Sequence, residues 1–159
     1  MKKFIPLFVV LVLLLVSAQV FAKSLVSVSM KAEKEVTVNK EIKRVPVTKV
    51  DSGDEIFYTL NYVNSGDGVA TNAVLDDPIP KGTVYILGSA FGKDAEIIFS
   101  IDGGKTFKKP SLLTYEVKLP DGKMEKKVAS PEQYTNIRWT FGSIPAQGSG
   151  QVGFQVRVK

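Results

Sequence analysis

The feature that most constrains this chain is an alternation of apolar and polar residues with a period of two. Side chains of a β-strand point alternately to its two faces, so each such row predicts a strand with one buried face. No stretch of the sequence shows a convincing helical period. The clearest apolar rows are Ile56, Tyr58, Leu60 and Tyr62; Ile137, Trp139 and Phe141, in a strand expected to end at Gly142; and Val152, Phe154, Val156 and Val158.

Turn-forming residues divide the alternating segments. Gly, Pro, Asn and Asp cluster at 51–54, 64–68, 77–82, 120–123 and 145–150. Between Lys23 and Val50 we expect a first strand and a hairpin that turns at 39–41, with Pro46 restricting the returning strand to a sheet edge or a bulge. Further strands are predicted at 70–76, 83–87, 96–101, 112–119 and 124–128. Many short strands joined by such turns predict an all-β, antiparallel sandwich of about seven or more strands. Its expected core comprises Ile56, Tyr58, Leu60, Leu75, Trp139, Phe141, Phe154 and Val156.

The first residues have the organisation of a secretory signal peptide. Lys2 and Lys3 precede an apolar run from Phe4 to Val16, and small residues at Val20 and Ala22 suit a signal peptidase. We therefore predict a signal peptide over residues 1–22 and one domain over residues 23–159. The alternative is a retained membrane anchor, but the run is shorter than the about 20 residues of a comfortable span.

Composition excludes several chemistries. The chain has no Cys and no His, so it cannot contain a disulfide, a Ser-His-Asp triad or a Cys-His pair. Its formal net charge of +5 includes Lys2 and Lys3, and the remaining charges are interleaved, which argues against nucleic acid as a partner. Carboxylate-only glycoside chemistry stays open through Glu55, Glu96, Glu116 and Glu132.

The stretch SIDGGKTF, residues 100–107, fits the pattern Ser-x-Asp-x-Gly-x-Thr-aromatic. It resembles the Asp-box that recurs in sialidase-type β-propellers, but the chain is far too short for a propeller. We interpret the stretch as a hairpin turn in which Asp102 accepts backbone N–H groups and Gly103 or Gly104 takes a positive φ. Thr106 and Phe107 would begin the returning strand.

A longer block covers residues 53–80: GDEIFYTLNYVNSGD, followed by ATNAVLDDPIP. With the closing IRWTFG, the loop IPAQG and the last alternating strand, it resembles the DUF-eleven repeat domain of bacterial and archaeal surface proteins, here in a single copy. The resemblance implies an immunoglobulin-like sandwich that serves as a structural module, with no assigned catalytic residues. That family often occurs as tandem repeats, whereas this chain has no detectable internal repeat.

Several residues of this block have predicted structural roles in turns. Gly53 and Gly66 can supply positive φ. Asn64 can bond its own backbone two residues on, and Asp77, before Pro78, can cap a turn.

Three kinds of binding site are considered. Calcium could be held if one end of the sandwich gathers Asp51, Asp54, Asp67, Asp76 and Asp77. Sugars could stack on exposed aromatic rings, although such residues more often cover a core; the candidates are Phe57, Tyr85, Phe107, Tyr115 and Tyr134. The terminal segments 23–38 and 151–159 could add as strands to another subunit, or pair within their own sandwich.

The sequence as a whole predicts a non-enzymatic, exported structural or interaction module of the bacterial cell envelope. The alternatives are a carbohydrate- or surface-binding adhesin-like domain and a subunit that assembles by strand addition. We expect no catalytic residues and no cofactor, with calcium as the one exception considered. The expected partner is an envelope protein or a glycan, with self-assembly as a further option. The protein itself is expected in the periplasm, or outside the cell or at its surface, with no stable membrane span after signal cleavage.

Overall fold

A computed structural model describes residues 22–159 of the chain. The predicted signal peptide therefore lies outside the described residues, except for Ala22. The described residues form eleven strands. Their bounds are β1 Val26–Val38, β2 Glu41–Pro46, β3 Glu55–Asn64, β4 Ala70–Pro78, β5 Thr83–Tyr85, β6 Phe91–Gly92, β7 Ala95–Ser100, β8 Thr114–Lys118, β9 Met124–Val128, β10 Asn136–Ile144 and β11 Ser149–Val158.

The strands build two main antiparallel sheets. Sheet A has the order β2-β1-β3-β11-β5, and β6 also pairs with β11. Sheet B has the order β4-β10-β7, and β8 and β9 form a separate hairpin. The predicted all-β, antiparallel sandwich is thus confirmed, whereas its immunoglobulin-like topology stays a prediction. Within residues 22–159 there are two short 3-10 turns and no α-helix, so no helix there could cross a membrane.

The apolar rows of both sheets meet in one core. Trp139 and Phe141 of β10 are buried against Phe154 of β11, and the Trp139 and Phe154 ring centroids lie 6.1 Å apart. Large aromatic side chains contribute much of a core's buried apolar surface. All eight predicted core residues lie in or against this cluster; Tyr58 is half-buried and stacks on Phe154 at 5.2 Å.

Several predicted boundaries are wrong. Strand β10 continues past Gly142 to Ile144, because this glycine keeps a negative φ and the ladder with β4 resumes at Ser143. Thr106 and Phe107 do not begin a strand: only Lys108 pairs, with Phe99. A 3-10 turn at Pro110–Leu112 replaces the start of the strand predicted at 112–119. The two-residue strand β6 has no counterpart in the sequence prediction, since two residues show no period.

The two terminal segments differ in their pairing. Strand β1 and the edge strand β2 form the predicted hairpin, whose Asn39 and Lys40 both have positive φ (54° and 67°), as a tight two-residue turn requires. Strand β2 ends at Pro46 on the sheet edge, as predicted. The C-terminal strand β11, by contrast, lies between β3 and β5. Of the two alternatives for segment 151–159, the structure thus shows pairing within its own sandwich.

Candidate functional site

The turn after β7 is built around Asp102, as the sequence predicts. Its Oδ1 accepts the backbone N–H groups of Lys105 (3.1 Å) and Thr106 (2.9 Å), and its Oδ2 accepts the Thr106 hydroxyl (2.6 Å). Gly103 and Gly104 both take positive φ, 75° and 84°. The Ser100 hydroxyl, which is buried, donates to Asp102 Oδ1 at 2.6 Å and accepts from Gly104 N–H at 2.9 Å.

These hydrogen bonds also determine the protonation state of Asp102. Hydrogen bonds from Ser100 first, and then from Thr106, hold the pKa of the Asp102 carboxyl well below its usual range. The carboxylate is therefore ionised and its acceptor sites are occupied by its own loop. Such a group organises a turn and is poorly placed to exchange protons near neutral pH.

Asn64 is more than a turn residue. Its side chain is fully buried and joins three separate segments. Its Oδ1 accepts from Gly66 N–H (3.2 Å), which is the predicted bond two residues on, and also from Leu25 N–H (3.0 Å). Its Nδ2 donates to the carbonyls of Gly68 (2.8 Å) and Pro145 (2.9 Å). Asn64 thus ties the start of β1, the loop after β3 and the loop after β10 together.

Gly66 has a different role from the predicted one. It does not take a positive φ, whereas Gly53 does (φ 93°). A Cβ at Gly66 would overlap the backbone of Lys23 and Leu25, which passes directly over it. Gly66 is needed for this close approach of two chain segments.

The prediction that Asp77 caps a turn is wrong. Asp77 lies within β4, on the same face as Leu75, opposite the buried Ile137. Its Oδ2 is buried and has no hydrogen-bond partner among the described residues. Burial raises the pKa of this carboxyl to about 6. Asp77 is therefore an energetic cost to the fold at neutral pH.

The five aspartates considered for calcium do not gather at one end. Asp54 precedes β3 and Asp67 follows it, and a ten-residue strand separates its ends by roughly 33 Å. The carboxylate of Asp54 contacts Lys34 at 2.7 Å, and that of Asp76 makes two bonds of 2.6 Å to Arg138. Within residues 22–159, no three His, Cys, Asp or Glu side chains lie together so that they could hold a metal ion.

The candidate sugar-stacking aromatics are mostly covered. Phe57, Tyr85 and Tyr134 are buried. The Arg138 guanidinium lies 3.7 Å above the ring of Phe107, and Tyr115 is half-buried and packs against the core.

One exposed aromatic ring lies outside the set that the sequence suggests. Phe91 of β6 is 46% exposed, and its ring lies over Gly153 on the outer face of sheet A. The neighbouring outer row includes Asn61 and Gln151, whose side-chain amides bond each other at 2.8 Å. In the sequence, Phe91 stands in a stretch rich in Gly and Ala that shows no alternating pattern. Sequence analysis therefore does not identify it as an exposed ring.

The candidate carboxylates for glycoside chemistry are dispersed. Glu55 on β3 binds Arg157 at 2.7 Å, and Glu96 on β7 in the other sheet binds Lys109 at 3.2 Å. Glu116 lies on the β8–β9 hairpin, and Glu132 in a 3-10 turn, where a hydrogen bond with Ser130 lowers its pKa.

The first half of β1 lies at an edge of sheet A. Strand β1 pairs with β3 over Val26–Lys34, but with β2 only over Glu33–Val38. Within residues 22–159, no strand lies on the other side of Val26–Met30. This segment is a sheet edge, and we call it the β1 edge. It borders a groove of about 510 Å³ between β1 and β4.

No protein-family model, curated protein or solved structure matches this chain.

Proposed function

We propose that this protein is a non-enzymatic structural or interaction module, exported to the bacterial cell envelope by its N-terminal signal peptide. The observation that carries the proposal is the contrast between its polar motifs and its edge. Asn64, Ser100 and Asp102, the residues with the most conspicuous polar chemistry, are bonded within the fold. The β1 edge, by contrast, offers main-chain groups that no strand of the described part of the chain pairs with.

The resemblance of residues 53–80 to the DUF-eleven domain supports the same proposal, and with it an immunoglobulin-like topology. A rigid sandwich with tied loops can hold an interaction surface in place without a reactive group. We propose that the partner is a protein of the envelope.

Cell fractionation combined with mass spectrometry tests the proposal. We expect the protein in the periplasmic or extracellular fraction, with a mature N-terminus at Lys23, and crosslinked there to another envelope protein or to itself. Recovery from the cytoplasm with Met1 retained would contradict it. A turnover of glycosides by the purified protein would contradict the non-enzymatic part.

Phe91 favours a carbohydrate-binding role as the second candidate. Exposed rings beside amide and hydroxyl side chains are chemically suited to sugars, which present both apolar faces and hydroxyl groups. A glycan array with Phe91→Ala as the variant and Val128→Ala, another exposed apolar residue far along the chain, as the control tests it. Binding that is lost only in Phe91→Ala would support this role, and the absence of signal on every glycan would count against it.

A further inference from the structure

The β1 edge carries three residues whose backbone groups have no partner strand among residues 22–159. Ser65 N–H donates to Leu25 C=O at 2.8 Å, on the β3 side of β1, and Val47 N–H donates to Ala32 C=O at 3.0 Å, on the opposite side. Backbone groups alternate in direction along an antiparallel strand. Val26, Val28 and Met30 therefore point both N–H and C=O away from β3, toward solvent.

Three other edge strands, β2, β4 and β7, carry features that oppose pairing with a further strand. Strand β2 ends in Pro46, which has no N–H. Strand β4 contains Asn72 in a left-handed conformation (φ 51°) and ends in Pro78. Strand β7 is covered at Phe99, which pairs with Lys108. Proline, kinks and charges are the usual means by which proteins block edge pairing, and Val26–Met30 has none of them.

The side chains at the β1 edge are apolar and exposed. Val28 and Met30 are 46% and 54% exposed, although they stand on the face of sheet A that is turned toward sheet B. Sheet B has three strands and ends at β4, so it does not cover them. On the far side of the groove, Val69 and Val74 are similarly exposed.

We propose that the occupant of this edge is a second copy of the same chain, paired antiparallel through β1 about a two-fold axis at Val28. This deepens the proposed function by naming its partner. In this register Val26 of each copy faces the partner's Met30, which allows on the order of six main-chain hydrogen bonds. A two-fold axis perpendicular to the sheet keeps both apolar rows on one side, so the exposed row becomes continuous across the pair.

The charged residues are compatible with the same register. Leu25 faces Lys31 and Ser27 faces Ser29, so no like charges oppose each other. On this side of β1, Ala32 already accepts from Val47 and Glu33 already pairs with Pro46. The partner strand therefore has to end before Ala32, and the β1–β2 hairpin stays in place.

Sedimentation of the wild type and two variants tests the proposal. The protein is purified after expression of the full chain, so that the host carries out any processing. We expect a weak, concentration-dependent monomer–dimer equilibrium that stops at two copies, because an isologous interface is closed. Val28→Lys places two like charges on the axis and should weaken association at least tenfold. Ser29→Lys adds the same charge one residue away, on the outer face, and should associate like the wild type.

Amide hydrogen exchange distinguishes this edge from any other interface. The amides of Val26, Val28 and Met30 should become protected as concentration rises, whereas those of Ser27 and Ser29 are protected by β3 at every concentration. Three outcomes would overturn the inference: a monomer at all concentrations up to about 1 mM, equal association of Val28→Lys and wild type, or a dimer without new protection at these amides. A monomer that still crosslinks to another envelope protein would overturn this inference alone and leave the proposed function standing.

Discussion

Replacement of Asp77 by Asn should stabilise this protein at neutral pH. The carboxyl of Asp77 is half-buried on the inner face of β4, with one oxygen that has no hydrogen-bond partner among residues 22–159. Burial raises its pKa from 3.8 to about 6. Each unit corresponds to about 1.4 kcal/mol, so the full shift would be worth about 3 kcal/mol. Because the residue is only partly buried, solvent screening reduces this to about 1–2 kcal/mol.

The sign of the pH dependence follows from the raised pKa. The folded state binds this proton more tightly than the unfolded state, so the contribution of Asp77 to stability is largest below pH ~4 and is lost as the pH rises through ~6. The side-chain amide of the Asp77→Asn variant is neutral at every pH. The variant should therefore exceed the wild type by roughly 4–8 °C in melting temperature at pH 7.5, and the difference should disappear near pH 4.

Thermal denaturation of both proteins between pH 4 and 7.5 measures this difference directly. Asp76→Asn is the matched control, because it makes the same change one residue away and removes the charge and one of the two oxygens that accept from Arg138. The Asp76→Asn variant should have a lower melting temperature than the wild type at pH 7.5. A gain for Asp77→Asn that is equal at pH 4 and 7.5, or no gain at all, would refute the assignment of a buried, ionised carboxylate.

Three further predictions concern the turns. Asn64→Ala should lower the free energy of unfolding by at least about 3 kcal/mol in urea denaturation, because it leaves several buried donors and acceptors unsatisfied; a loss below about 1 kcal/mol would mean that water replaces the side chain. Gly66→Ala should cost at least about 2 kcal/mol, since its Cβ meets the backbone of Lys23, whereas Gly53→Ala, which meets nothing, should cost only about 1 kcal/mol for its positive φ; equal losses would refute the overlap. Asp102→Ala should lower the melting temperature by several degrees and leave self-association unchanged; the reverse pattern would assign Asp102 to binding.

The sequence predicts most strands because a half-buried strand must alternate, and an alternating row can be recognised without knowledge of its neighbours. The same rule, extended through β4, places Asp77 on the face of Leu75. The adjacent Pro78 suggests a turn instead, and this local signal is misleading here. Proline is tolerated at the end of an edge strand, where β4 has it.

The role of Asn64 could not be predicted, because its partners are distant in the chain. Leu25 lies 39 residues before it and Pro145 lies 81 residues after it. The bonds to Gly66 and Gly68 are local, and the bond to Gly66 is the one that turn chemistry indicates. The central position of β11 is hidden for the same reason: one strand's pattern shows which face is buried but not which strands flank it.

The position of Asn64 also bears on the proposed dimer. Asn64 and the pairing with β3 hold Leu25–Met30 extended before any partner arrives. Association then does not have to order the chain at the interface, and this ordering is a large part of the cost of strand addition by a flexible segment. A short edge with an exposed apolar row can therefore be sufficient for two copies to associate. An interface of this size favours a weak and reversible dimer. The hairpin with β2 confines the pairing to Val26–Met30, so the contacts that stabilise the fold also limit where a second copy can bind.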